Sequence, residues 1–141
     1  MKEAARFFKV LADDSRLKML WLLYNREELC VCDIMAVLDI TQSKASRHLA
    51  TLRNVGIVVD RRDGQWSYYS LCPVEDKLAE EHLKLLKTSL SKRPDARQLI
   101  IKLNTWLKEK EQSFSCTGDK AQCSTPVKTA AVKPSPAGGA R

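Results

Sequence analysis

A chain of 141 residues, 44% hydrophobic and 29% charged, suits a single domain with a true core. Its net charge of +7 and pI near 9.3 favour an anionic partner, and nucleic acid is the commonest one for a small basic domain. Met1-Lys2-Glu3-Ala4-Ala5-Arg6 lacks the apolar core of a signal peptide, and the longest apolar run, Met19 to Tyr24, falls far short of the ~20 residues of a membrane span. A cytoplasmic protein with no membrane partner is expected. Five cysteines, an odd number in a reducing compartment, argue for metal ligation or redox sensing over structural disulfides.

Residues 3 to 12 read as a short helix with Phe7, Phe8 and Leu11 on one side. Asp13 or Asp14 then caps a core helix carrying Leu17, Leu20, Trp21 and Tyr24 at helical spacing. A third helix is predicted from about Cys32 to Leu38, and the tight connection Asp39-Ile40-Thr41 leads into a fourth, Gln42 to Val55, capped by Thr41 and closed by Gly56. Ala45, Leu49 and Leu52 share the inner face of the fourth helix, while Gln42, Ser43, Lys44, Ser46 and Arg47 crowd its exposed first turns. That is the construction of a recognition helix, whose N-terminal residues meet base edges in the major groove.

After Gly56 the period changes to two strands, Ile57 to Arg62 and Gln65 to Leu71, joined by Asp63-Gly64 in a predicted type I′ turn. Arg61, Arg62 and Gln65 lie near the tip of this hairpin, placed to reach DNA beside the helix as a wing. Trp66, Tyr68 and Tyr69 cannot all face one way, and only Trp66 is offered as a DNA contact. Two further helices, 75 to 91 and from Pro94 on, carry more apolar surface than a compact winged helix can bury, so one or both, with the first helix, are assigned to a dimer interface. The predicted organisation is a winged helix-turn-helix and dimerisation domain over 1–91, an additional helix over 92–114 and a flexible polar tail over 115–141 containing Cys116 and Cys123. The fold class is mainly α with a β-hairpin wing, dimerising through its N- and C-terminal helices.

The chemistry sits in Glu28-Leu29-Cys30-Val31-Cys32-Asp33. Two soft thiols one residue apart, immediately before a DNA-reading helix pair, suit thiophilic ions such as As(III), Sb(III), Cd(II) and Pb(II). A single cysteine there would read as a small buried hydrophobe, and the pair is what argues for ligation. Cys72, beside Pro73, reads as packing. Cys116 and Cys123 are possible additional ligands, a separate weak site, or neither. His48 falls in the recognition helix and is counted with the DNA-facing residues, with helix packing as its other role; His82 has no partner of the kind zinc, nickel or cobalt requires. In a regular helix residues i and i+2 differ by about 200°, so ligation by both thiols is expected to distort the helix start and shift the recognition helix.

The segment containing Cys30 and Cys32, together with Ser46-Arg47-His48-Leu49 and the wing Arg61-Arg62-Asp63-Gly64-Gln65-Trp66, resembles the ArsR/SmtB metal-responsive repressors over roughly residues 4 to 90. The resemblance implies a homodimer that leaves operator DNA when As(III) or Sb(III) occupies the cysteines, with no catalytic residues and no required cofactor. Arsenic sensors of this type often carry a third cysteine where this chain has Met35. The same Leu-Cys-Val-Cys-Asp segment also occurs in cadmium and lead sensors, which carry further cysteines N-terminally where this chain has none. A redox sensor is the rival from another regulatory class, and a thiol oxidoreductase is the poorest match, because the chain lacks Cys-x-x-Cys beside a βαβ unit.

Overall fold

The computed structural model describes residues 1–117, with side chains through residue 112. Helix α1 (Lys2–Leu11) turns Phe7 and Val10 inward. Asp13 accepts the backbone N–H of Arg16 at 3.1 Å and so caps α2 (Asp14–Asn25). α2 is the central core helix, with Met19, Leu20 and Leu22 fully buried. Its Trp21 spends the one polar atom of its ring on a hydrogen bond from Nε1 to the carbonyl of Ala96, 2.8 Å away.

Next come the short strand β1 (Leu29–Cys30), α3 (Val31–Leu38) and α4 (Gln42–Asn54). Asp39 ends α3 in the left-handed region at φ 58°, a conformation that a short polar side chain tolerates better than most. Thr41 accepts the Lys44 N–H at 3.2 Å, giving α4 the expected N-cap. Ala45, Leu49 and Leu52 of α4 are buried, as their spacing predicts. Gly56, at φ +82°, turns the chain into β2 (Val58–Asp63), which pairs with β3 (Trp66–Leu71).

Two features differ from the reading of the sequence. The sheet has three antiparallel strands in the order β1-β3-β2 rather than two, because Leu29 and Cys30 pair with Tyr69 and Tyr68. A strand of two residues has no periodicity to read, and it exists because β3 offers it an edge. The hairpin turn is also shifted by one residue. Asp63 pairs with Trp66, leaving Gly64-Gln65 as the two-residue loop with positive φ at Gly64 but not at Gln65. That is the glycine-first pattern of type II′, so the type I′ turn at Asp63-Gly64 does not form.

Helix α5 (Lys77–Leu90) is capped by Asp76, and α6 (Pro94–Thr117) follows it, reaching three residues past the boundary expected at 114. α6 buries Leu103 and packs Leu99, Ile100, Trp106 and Leu107 against the core on α2 and α3. Much of the apolar surface that seemed excessive for one domain is thus absorbed within the chain. Phe8 on α1 and Leu78 and Leu85 on α5 remain exposed, Leu85 at 60%.

Candidate metal centre and nucleic-acid interface

Cys30 is not inside a helix. It ends β1 with extended backbone at φ −75° and ψ 153°, and it is the N-cap of α3. Its Sγ accepts the Cys32 N–H at 3.3 Å, while the backbone N–H of Cys30 is taken by Asp33 Oδ2 at 3.0 Å. This is a capping box with cysteine in the place usually held by serine or threonine, and Cys-x-x-Asp has its spacing. The two Sγ atoms lie 2.9 Å apart with α3 regular from Val31. The geometric ground for expecting a distorted helix start is therefore corrected: the 200° argument assumed both cysteines were helical, only Cys32 is, and any effect of a ligand on α3 must instead act through the Cys30 cap.

Cys30 is 1% exposed, and burial pushes its thiol above the ordinary range. Asp33, also buried, takes contacts on both oxygens. Besides the N–H of Cys30, it accepts Trp106 Nε1 at 2.9 Å and Lys110 Nζ at 2.6 Å on Oδ1. The two sulfurs are thereby tied to α6, and sequence reasoning missed Asp33, Trp106 and Lys110. Only the capping-box spacing of Asp33 was legible; nothing local marks the other two. Met35 packs at the edge of the core. Cys72 is half-buried, its Sγ 3.1 Å from the Gly56 carbonyl. Cys116 falls in the last turn of α6, but its side chain lies outside the described residues, as does all of Cys123. No group of three or more metal-binding side chains occurs among the described residues.

Gln42, Ser43, Lys44, Ser46 and Arg47 are all exposed on the first turns of α4. The unpaired N–H groups and positive dipole end of the helix add to the attraction of Lys44 and Arg47 for phosphate. His48 is half-buried and turned to α2, with Nδ1 3.1 Å from Arg16 Nη1 and 3.9 Å from Asp13 Oδ2. Burial holds its pKa below the ordinary value. In the wing, Arg62 and Gln65 are exposed. Arg61 instead makes a two-pronged pair with Glu28, both contacts at 2.9 Å, and lies over the Tyr68 ring with 4.8 Å from guanidinium carbon to centroid. Trp66 is half-buried, while Tyr68 and Tyr69, on opposite faces of β3, are both buried.

Residues 13–59 match the family described as bacterial regulatory protein, arsR family. The stretch from α2 to β2 thus carries the family pattern. The chain is 45% identical over 78 residues to the arsenic resistance transcriptional regulator ArsR2 of Pseudomonas putida, covering 55% of this chain and 68% of the relative. It is 39% identical over 84 residues to a cadmium resistance transcriptional regulatory protein CadC homolog of Staphylococcus aureus, covering 60% and 64%. Other curated arsenic regulators are matched over about three-fifths of their own length. Among solved structures, the homodimeric winged helix-turn-helix DNA-binding domain of Mb0332 from Mycobacterium bovis superposes with a TM-score of 0.53 at 27% identity, covering 64% of this chain and 81% of that one. No helix among the described residues is long and apolar enough to cross a membrane.

Proposed function

Since this chain belongs to the arsR family of bacterial regulatory proteins, we propose that it is a homodimeric repressor of a metalloid-resistance operon, released from operator DNA when As(III) or Sb(III) binds Cys30 and Cys32. The observation that carries this reading is the 2.9 Å separation of the two Sγ atoms at the N-terminus of the first helix of the helix-turn-helix. Two sulfurs converging on one point suit a soft, thiophilic ligand. Cys30 also caps α3, so a ligand that claims its sulfur competes with the Cys32 N–H and loosens the first turn.

Movement there passes to α4 through the three-residue connection 39–41. A dimeric reader holds two recognition helices about 34 to 36 Å apart, so a small reorientation costs contacts at both half-sites. A thousandfold loss of operator affinity requires the ligand to favour the released state by about 4 kcal/mol. Phe8, Leu78 and Leu85 supply the exposed apolar surface for the dimer, with Phe8 seated edge-on against His82 of α5 at 5.1 Å. Gln42, Ser43, Ser46 and the half-buried His48 face or flank the groove, with Lys44, Arg47 and Arg62 on phosphate and Gln65 at the wing tip.

A cadmium or lead sensor is the second reading, favoured by the similarity to the cadmium resistance regulator. The test is fluorescence anisotropy on the protein's own promoter DNA, titrated with arsenite, antimonite, cadmium, lead and zinc, in wild type, Cys30→Ser, Cys32→Ser and Cys116→Ser/Cys123→Ser. Release by arsenite that disappears with Cys30→Ser or Cys32→Ser supports the metalloid reading. Release by cadmium or lead alone supports the second. Release by peroxide without metal would move the protein to the redox class.

A further inference from the structure

Among the described residues, one buried side-chain polar atom has no hydrogen-bond partner, the hydroxyl of Tyr68. Tyr68 is 2% exposed. It is the direct cross-strand partner of Cys30, and directly opposed residues share one face of an antiparallel pair with their Cβ atoms about 5 Å apart. Its hydroxyl lies within electrostatic reach of both Cys30 and Asp33. Buried polar groups are almost always satisfied, so an orphan close to two converging sulfurs asks for the group that satisfies it. A phenol carries its proton at physiological pH, so Tyr68 is available there as a hydrogen-bond donor.

The reading of Cys30 and Cys32 as effector ligands, on which this inference rests, leaves an acceptor where the orphan donor lacks one. A trivalent oxyacid, As(OH)3, condenses with two thiols by forming two As–S bonds and breaking two As–O bonds. Each thiol proton leaves with a departing hydroxide as water, and arsenic stays trivalent. One hydroxyl remains on the arsenic. We propose that Tyr68 is the specificity-determining donor of the effector site, giving its O–H to the oxygen that a dithiol-bound trivalent oxyacid retains. Cd(II) brings only exchangeable aqua ligands, which donate hydrogen bonds and accept them poorly, so Tyr68 favours the oxyacid. The contact also joins the effector to β3, where Arg61 lies over the same ring.

Phenylarsenous acid separates this role from a merely structural one. It loses both of its hydroxyls to the two thiols and keeps no oxygen, so it reports the thiols without the proposed hydrogen bond. In equilibrium dialysis of the full reduced chain, Tyr68→Phe is expected to bind arsenite about tenfold more weakly than wild type, with phenylarsenite affinity held within about twofold. X-ray absorption of the arsenite complex should show two sulfurs and one oxygen on arsenic. Unchanged arsenite affinity in Tyr68→Phe, an equal loss for both arsenicals, or a shell of three sulfurs overturns the proposal while leaving the thiol reading intact. Undiminished arsenite binding by Cys30→Ser would remove the thiol reading itself, and this inference with it.

Discussion

Asp33 and Lys110, 77 residues apart in the chain, meet with Oδ1 and Nζ 2.6 Å apart where each side chain is almost wholly out of water. The pair joins the helix that begins at the thiols to the C-terminal helix, and Trp106 adds its indole N–H to the same oxygen. Removing one member of such a pair leaves an uncompensated buried charge. Lys110→Met is expected to destabilise the fold by about 3 to 5 kcal/mol, read as a lower urea midpoint. The double variant Lys110→Met/Asp33→Asn should recover part of that loss. If both variants unfold like wild type, the pair contributes nothing to the docking of α6.

Proton bookkeeping separates the two candidate effectors. Because burial raises the Cys30 pKa, this thiol is protonated from pH 6 to 8. A cation must expel the proton, so cadmium affinity should climb by up to about tenfold per pH unit for each thiol displaced. Neutral As(OH)3 carries the thiol protons away as water, so arsenite affinity should stay nearly flat over the same interval. Binding isotherms at pH 6, 7 and 8 give both slopes.

Arg47 and Arg61 looked equivalent as phosphate ligands until the structure gave Arg61 a partner. Its guanidinium is held by Glu28, whereas Arg47 is exposed on α4. Arg47→Ala should reduce the salt slope of operator binding by about 0.9 for each protomer, and Arg61→Ala should leave it nearly unchanged. Equal slopes for the two variants would mean that Arg61 leaves Glu28 for the DNA.

His48 predicts a loss of stability in mild acid. Its folded-state pKa lies below the ordinary value because burial disfavours the charged ring, so the unfolded chain binds the proton first. The stability it contributes is present above its ordinary pKa of about 6.5 and is lost as pH falls below it. Wild type should lose melting temperature between pH 7 and pH 5, and His48→Gln should lose less over that range. A parallel fall in both would assign the acid sensitivity elsewhere.

The elements of this chain were legible wherever residues near in sequence cooperate. The Asp13 and Thr41 caps, the buried stripe Ala45, Leu49 and Leu52, the turn at Gly56 and the polar first turns of α4 all follow from spacings of a few residues. The arsR-family pattern lies within that same stretch of chain, as does the thiol pair. The one-residue shift of the hairpin turn is the measure of how far such spacing can be trusted, because Asp-Gly and Gly-Gln each satisfy a two-residue turn and the cross-strand register chose between them.

What surrounds the thiols was decided by the tertiary structure alone. Cys30 meets Tyr68 because β3 captures two residues as an extra strand. Asp33 meets Trp106 and Lys110 because α6 returns along α3, and Arg61 meets Glu28 across the edge of the sheet. Each partner comes from another element, and no local period encodes such a meeting. Local spacing alone marks a winged helix-turn-helix with two sulfurs at the start of the first helix of the pair. Only the fold decided that those sulfurs converge, since the backbone of Cys30 is extended by its pairing with Tyr68 rather than wound into the helix it caps.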